Sequence, residues 1–203
     1  MSDLHKEVNF EGEICDHLAA NGWLCSQGDA ASYDRTRALF PADVLAWVQD
    51  TQPKAWEALV KNHCAQAADV LLGRLRDSIN QRSTLDVLRH GIELLGLRQP
   101  LMLAQFKPAL AMNPDILVKY AANRLRVVRQ LRYSLHNENA LDLGLFLNGI
   151  PVATAELKTN FTQSVEDAVD QYRFDRVETA VSSGELKSSG GALALDACPP
   201  LSR

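Results

Sequence analysis

An Asn-Gly pair, Asn148-Gly149, interrupts two apolar runs in the stretch LDLGLFLNGIPVATAELK, residues 141 to 158. Asn-Gly accepts left-handed backbone at both centre positions of a tight turn, so this pattern is a strong local signal for a β-hairpin. The stretch is a hairpin candidate, with the chain expected to reverse at this pair. Because strand side chains alternate between faces, Glu156 and Lys158 are expected on one face and Leu157 on the other. On the preceding strand, Asp142, Gly144 and Phe146 are expected together, with leucines 141, 143, 145 and 147 opposite. A three-residue loop pairing Leu147 with Pro151 puts Asp142 across from Glu156, and opposed residues share a face. A slip of one residue would separate the two acids.

Charges inside such an apolar hairpin need a reason, because a carboxylate near a core is costly unless it is paired or holds a metal. Two carboxylates that converge repel each other, and a divalent cation relieves that repulsion. Oxygen-only ligands suit Mg²⁺, which binds through one or two carboxylates and keeps waters for substrate phosphates. A lysine beside it can hold or deprotonate a water and oppose charge growing on a phosphorus oxygen. The pattern therefore points to metal-dependent phosphodiester cleavage. Solvated charges at a strand end are the competing explanation, since Glu-x-Lys alone is an unspecific signal.

The remaining chain bounds this reading. Its 203 residues suffice for one good core, and a composition of 46% hydrophobic and 23% charged residues is that of a soluble globular protein. A net charge of −4 excludes a global attraction for polyanions, so any nucleic-acid contact must come from a local basic patch. The four cysteines show no CxxC spacing, which argues against structural zinc and for a reducing compartment. No run approaches the ~18 apolar residues of a membrane span, and the expected location is the cytoplasm, with no membrane partner. The Asn160-Phe161-Thr162 sequon is then a chance occurrence.

Phe10, Ile14 and Leu18 recur at helical spacing, Asn21-Gly22 closes that run, and Glu13 lies on its flank. Residues 41 to 90 read as helical throughout, and QPLMLAQF (99 to 106) as a short strand. NPDILVKYAANR starts a helix with Asn113 as cap and Pro114 at the first turn, which explains Pro114-Asp115 without a metal. The period then becomes strand-like in LRVVRQLRYS. Between Lys119 and Tyr133 lie Lys119, Arg124, Arg126, Arg129 and Arg132 with no acid among the basic residues from 119 to 132. A strand would put Arg124, Arg126 and Arg132 on one face, a candidate grip on a phosphate backbone. An edge strand kept soluble by charge is the plainer alternative. His136, Asn137 and Asn139 are candidate polar contacts nearby. Ser164 looks like the cap of a helix reaching about Arg176, and the Ser/Gly-rich end has no clear periodicity.

Residues 123 to 176, and above all the combination of Asp142, the NGIPV turn and ELK with 14 residues from Asp142 to Glu156, resemble the nuclease domain of the type I restriction enzyme R (restriction and translocation) subunit. The stretches ALFPADVLAWVQDTQPKAW and LAQFKPALAMNPDILVKYAANR resemble the amino-terminal part of the same subunits. The resemblance implies an α/β PD-(D/E)xK nuclease fold, a central mixed sheet flanked by helices, with a helical insertion at 41 to 90. It implies a nuclease domain over residues 1 to 178 and a tail over 179 to 203. Asp142, Glu156 and the Leu157 carbonyl would bind Mg²⁺, with Glu13 completing the site, and Lys158 would be the catalytic lysine. Gln171 falls on the Gln of a Gln-x-x-x-Tyr motif, but Asp175 stands in the Tyr position, with Tyr172 beside Gln171; both are candidate DNA contacts. Leu141 replaces the proline that often precedes the Asp.

The implied partners are double-stranded DNA and the methylation and specificity subunits of a restriction complex. ATP would serve only the translocase of an intact subunit. GIELLGLR has phosphate-loop glycine spacing but offers Leu97 and Arg98 where Lys and Ser/Thr are required, so no ATP binding is expected of this chain. Two other readings remain open: a free-standing repair- or resolvase-like nuclease of the same superfamily, and a non-catalytic docking domain on the same fold.

Overall fold

The computed structural model describes residues 3–26, 28–110, 112–135 and 137–157. Among these residues, six α-helices precede or flank a three-stranded antiparallel sheet: α1 (Asp3–Ala20), α2 (Pro41–Thr51), α3 (Pro53–His63), α4 (Ala67–Arg82), α5 (Thr84–His90), α6 (Pro114–Ala121), then β1 (Leu125–Arg132), β2 (Ala140–Leu147) and β3 (Ile150–Ala155). The strand order is β1-β2-β3. The expected central mixed sheet is thus antiparallel among the described residues, apart from one parallel bridge, Leu24 to Arg126, at the β1 edge.

Helices fill residues 41 to 90 as the periodicity predicts. Pro41 and Pro53 each open one, since a proline at the first turn removes a donor that has no partner there anyway. Val44, Trp47, Leu59, Leu71, Leu75 and Val87 bury themselves in one core with Ile150 of β3. The helical segment therefore packs directly on the hairpin. Asn113 caps α6 as predicted, its side chain accepting from the Asp115 N–H at 3.0 Å.

Two expectations need correction. The stretch 99 to 106 forms no strand, only a bridge between Leu101 and Ile92. Beyond that bridge, side chains take up its carbonyls: Trp47 Nε1 and Gln52 Nε2 donate to the Met102 carbonyl at 3.1 and 2.7 Å, and Asn148 Nδ2 donates to Leu103 O at 2.9 Å. In α1 the inward stripe is rotated from the one read. Phe10 is 52% exposed, while Glu11 and Cys15 are buried with Ile14 and Leu18 half-buried beside them.

The hairpin turns more tightly than expected. Leu147 pairs with Ile150, leaving Asn148 and Gly149 as a two-residue turn with φ 50° and 80°. The turn is docked onto the start of α2: Phe40 N–H donates to Gly149 O at 2.9 Å, and a Cβ at Gly149 would sit 2.4 Å from Phe40 O. Ladder partners shift between Leu145 and Phe146, with Val152 as the extra residue, and from there Leu143 pairs with Ala155. This bulge restores at the far end the register that a three-residue loop would have set.

Candidate active site

The far end of the hairpin gathers the acids. Continuing the Leu143–Ala155 pairing by one residue brings Asp142 level with Glu156, just past the end of β3. Asp142 Oδ2 accepts a 2.6 Å hydrogen bond from the Leu157 N–H, which ties the two strand ends together. Leu157 packs its side chain against the Cys15, Val127 and Leu143 cluster, and this burial holds its backbone beside Asp142.

Strand alternation does not run unbroken through this end. Leu141 joins Phe146, Val128 and Leu131 around Tyr33 and Phe40, whereas Leu143 and Leu145 pack with Cys15 and Val127 on the α1 side. The expectation that leucines 141 to 147 share one face is therefore corrected. On the neighbouring β1, Gln130, opposite Asp142, has φ 48°, and the ladder between β1 and β2 skips this position. A left-handed residue inside a strand rotates the residues that follow it.

Gln130 also connects this end to α1. Its Nε2 donates to Glu11 Oε1 at 2.7 Å and lies 3.5 Å from Asp142 Oδ1, at the outer limit of a hydrogen bond. Arg129 Nε meets Glu11 Oε2 at 3.3 Å. Glu11 is only 2% exposed, so α1 does send an acid toward the hairpin. It is Glu11 and not the expected Glu13, which is exposed. Spacing from Cys15 and Leu18, at i+4 and i+7 from Glu11, carries the correct helix phase; starting the stripe at Phe10 hid it.

Oxygen carboxylates are the donors available here, and that chemistry fits a hard divalent cation such as Mg²⁺ better than a softer metal. Among the described residues, no three His, Cys, Asp or Glu side chains are grouped so that they could hold a metal ion. Cys15, one turn from Glu11, is no rival nucleophile. Burial, with help from the neighbouring Cys25, pushes its thiol up to about 12, so it stays protonated at neutral pH.

The basic residues of β1 are placed differently from the expectation. Arg124 and Arg126 lie at the turn end of the sheet, where Arg124 flanks Asn148, six and four residues from Gln130. At about 3.3 Å per strand residue, that puts Arg124 roughly 20 Å from the acids. Arg126 meets Asp43 at 2.7 Å and Asp29 at 2.6 Å, and stacks over Phe40 at 5.1 Å. Asp43's hydrogen bond, working against burial, raises its pKa further above the ordinary arginine range. Arg126 is thus committed to joining β1, α2 and the 29–32 turn, and Arg124 pairs with Asp50 at 2.9 Å. Distant partners such as Asp43 leave no trace in the local sequence of β1. Arg132 is at the acid end but pairs with Glu138 at 2.7 Å, both exposed. Asn137 shapes the loop, its side chain accepting from the Asn139 N–H at 3.1 Å. Lys158, Gln171 and Tyr172, with His136, the helix expected from Ser164 and the tail, lie outside the described residues.

No helix among the described residues is long and apolar enough to cross a membrane. No curated protein and no solved structure matches the chain significantly. The family model described as "Type I restriction enzyme R protein N terminus" does match, over residues 42–186, a segment that contains the whole hairpin and leaves α1 outside. By that match, spanning well over half of its length, the chain belongs to the family of type I restriction enzyme R protein N-terminal regions.

Proposed function

We propose that this chain is the Mg²⁺-dependent DNA endonuclease domain of a type I restriction R subunit, built on the PD-(D/E)xK fold. The observation that carries the reading is the meeting of Asp142, Glu11 and the end of β3 at one edge of a hairpin that lies inside the matched family segment. In this reading Asp142, Glu156 and the Leu157 carbonyl hold the cation, with Glu11 taking the part first expected of Glu13. When bound, the cation supplies Lewis-acid polarisation of the scissile phosphate.

The chain's own groups do the rest. The Leu157 N–H fixes the Asp142 carboxylate by holding Oδ2, with Oδ1 on the side of Gln130. Lys158, two residues beyond Glu156, orients or deprotonates the attacking water and opposes the negative charge that grows on the phosphoryl oxygen. With Arg124 and Arg126 held in ion pairs at the other end, backbone contact falls to Arg132, Gln171 and Tyr172. Contacts of this kind position a duplex without reading its bases. The enzyme would therefore cut unmodified foreign DNA, in the cytoplasm, where partner methylation and specificity subunits direct it and ATP drives the translocase of the intact subunit.

Cleavage of plasmid DNA in the assembled R-subunit complex tests this. Wild type should nick with Mg²⁺, and Lys158→Ala and Asp142→Asn should each lose at least about 100-fold in rate while remaining folded. A folded wild type that never cuts with Mg²⁺ or Mn²⁺, even in the complex, would replace the reading with that of a docking domain.

A further inference from the structure

Most half-buried arginines of this protein are matched to carboxylates, as Arg37, Arg124 and Arg126 are. Arg35 and Arg76 are not. Arg76, on α4, is half-buried and makes neither a hydrogen bond nor an ion pair among the described residues. Burial pulls its guanidinium below the ordinary arginine range, with Tyr33 and Asp77 as the neighbouring groups that oppose the fall. Asp77 is exposed and forms no ion pair with it, and Asp34 is already tied to Arg37 at 2.9 Å. Arg35, also half-buried, donates only to the Ser134 carbonyl, at 3.3 Å, and its fork has donors to spare.

The fold brings these two groups to one side of the sheet. Tyr33 packs on Phe40 and Phe146, over the face that carries Leu141. Arg37 bridges the Tyr33 loop to Asp69 of α4 at 2.9 Å, and Arg76 follows Asp69 by seven residues, on the same helix face. Burial pushes the Tyr33 hydroxyl up to about 12, against the pull of Arg76, so it remains a donor at neutral pH. Ser134 lies two residues past the end of β1, in the loop that returns to Asp142. Four residues at strand spacing put it within about 13 Å of Gln130, which stands opposite Asp142. Arg35 therefore reaches the acid end, where Arg124 does not.

A guanidinium withdrawn from water without a counter-ion is costly, and donors without acceptors suit an anion with several oxygens. We propose that Arg35 and Arg76 hold phosphates of the DNA backbone beside the acid end. This rests on the nuclease reading, and it adds two cations from the Tyr33 loop and α4 to Arg132. Such contacts set the position of a duplex and leave its bases unread.

Binding of a fluorescent 30-base-pair duplex of arbitrary sequence to the 203-residue chain, followed by anisotropy over a range of salt without divalent cations, tests it. Arg35→Ala and Arg76→Leu should each weaken binding roughly 5- to 10-fold near 0.1 M salt and lower the log–log salt slope by about 0.9. Arg89→Ala, which removes an exposed charge from α5, should stay within about 2-fold of wild type. Arg76→Leu should also raise Tm, because an unmatched half-buried charge is gone; an arginine with a structural task would lower it. Affinity and slope unchanged in both variants, a fall in Tm for Arg76→Leu, or a wild type that does not bind the duplex would each overturn the inference. So would a rise in wild-type Tm with inorganic phosphate, lost in Arg76→Leu, without any change in duplex binding, since that marks a small-anion site. The nuclease reading is judged apart from all of these, by plasmid cleavage with Lys158→Ala in the assembled complex.

Discussion

The two ends of the three-stranded sheet handle polar groups in opposite ways. At the turn end, acids meet a guanidinium directly: Arg126 reaches Asp29 and Asp43 at 2.6 and 2.7 Å. The amide of Asn148, itself 1% exposed, donates to Leu103 O and accepts from the Arg124 N–H at 2.7 Å. Those groups are matched to one another, and their matching joins the hairpin to α2 and to the 101–104 segment. At the acid end, Arg129 pairs with Glu11 at 3.3 Å, while Asp142 is held by a backbone N–H and lies beside the neutral amide of Gln130. Charge is matched twice over at the turn end, whereas at the acid end Asp142 is held by neutral groups alone.

That contrast breaks if mutations at the two ends behave alike. Arg126→Leu should have the largest effect, because it strands two acids, of which Asp43 is buried. Removing one partner of a buried pair costs about 3–5 kcal/mol, read as a fall in the urea midpoint with an unchanged slope. Asn148→Ala should follow at about 2 kcal/mol, since it leaves the Leu103 carbonyl and the Arg124 N–H unsatisfied and removes a residue suited to φ 50°. Arg124→Ala should cost under about 1 kcal/mol, because its pair with Asp50 is exposed and screened, and that small loss should vanish in 1 M salt. Smallest of all, Asp142→Asn without divalent cations should leave stability within about 0.5 kcal/mol of wild type or raise it slightly. The Asn oxygen can still accept from Leu157 N–H, and a repulsion with Glu11 is gone. A severe loss in Asp142→Asn would place the acid end with the architecture and erase the contrast.

How much of this was legible in the sequence depends on how far apart the interacting residues lie. The Asn-Gly turn, the proline-initiated helices and the Asn113 cap are encoded within a few neighbouring residues, and each is present. The register expected for Asp142 and Glu156 agrees with the Leu143–Ala155 pairing one residue before them, although it was reached by a different turn. The actual turn is one residue shorter than expected, and the bulge at Val152, which no local signal announces, makes up the difference. Glu11 was missed because the phase of α1 was taken from Phe10, a residue that the fold leaves exposed. That Arg126 is taken up by Asp43 could not be read from β1, because Asp43 is 83 residues away and pairing over that distance exists only in the fold. Gln130 offered nothing at all to a sequence reading, since an ordinary glutamine gives no hint of φ 48°.

The most direct test of the account is the anomalous diffraction of a crystal of this chain soaked in Mn²⁺. The account predicts a peak at bonding distance from the Asp142 carboxylate, shared with Glu156 or Glu11. Mn²⁺ found only elsewhere would contradict it.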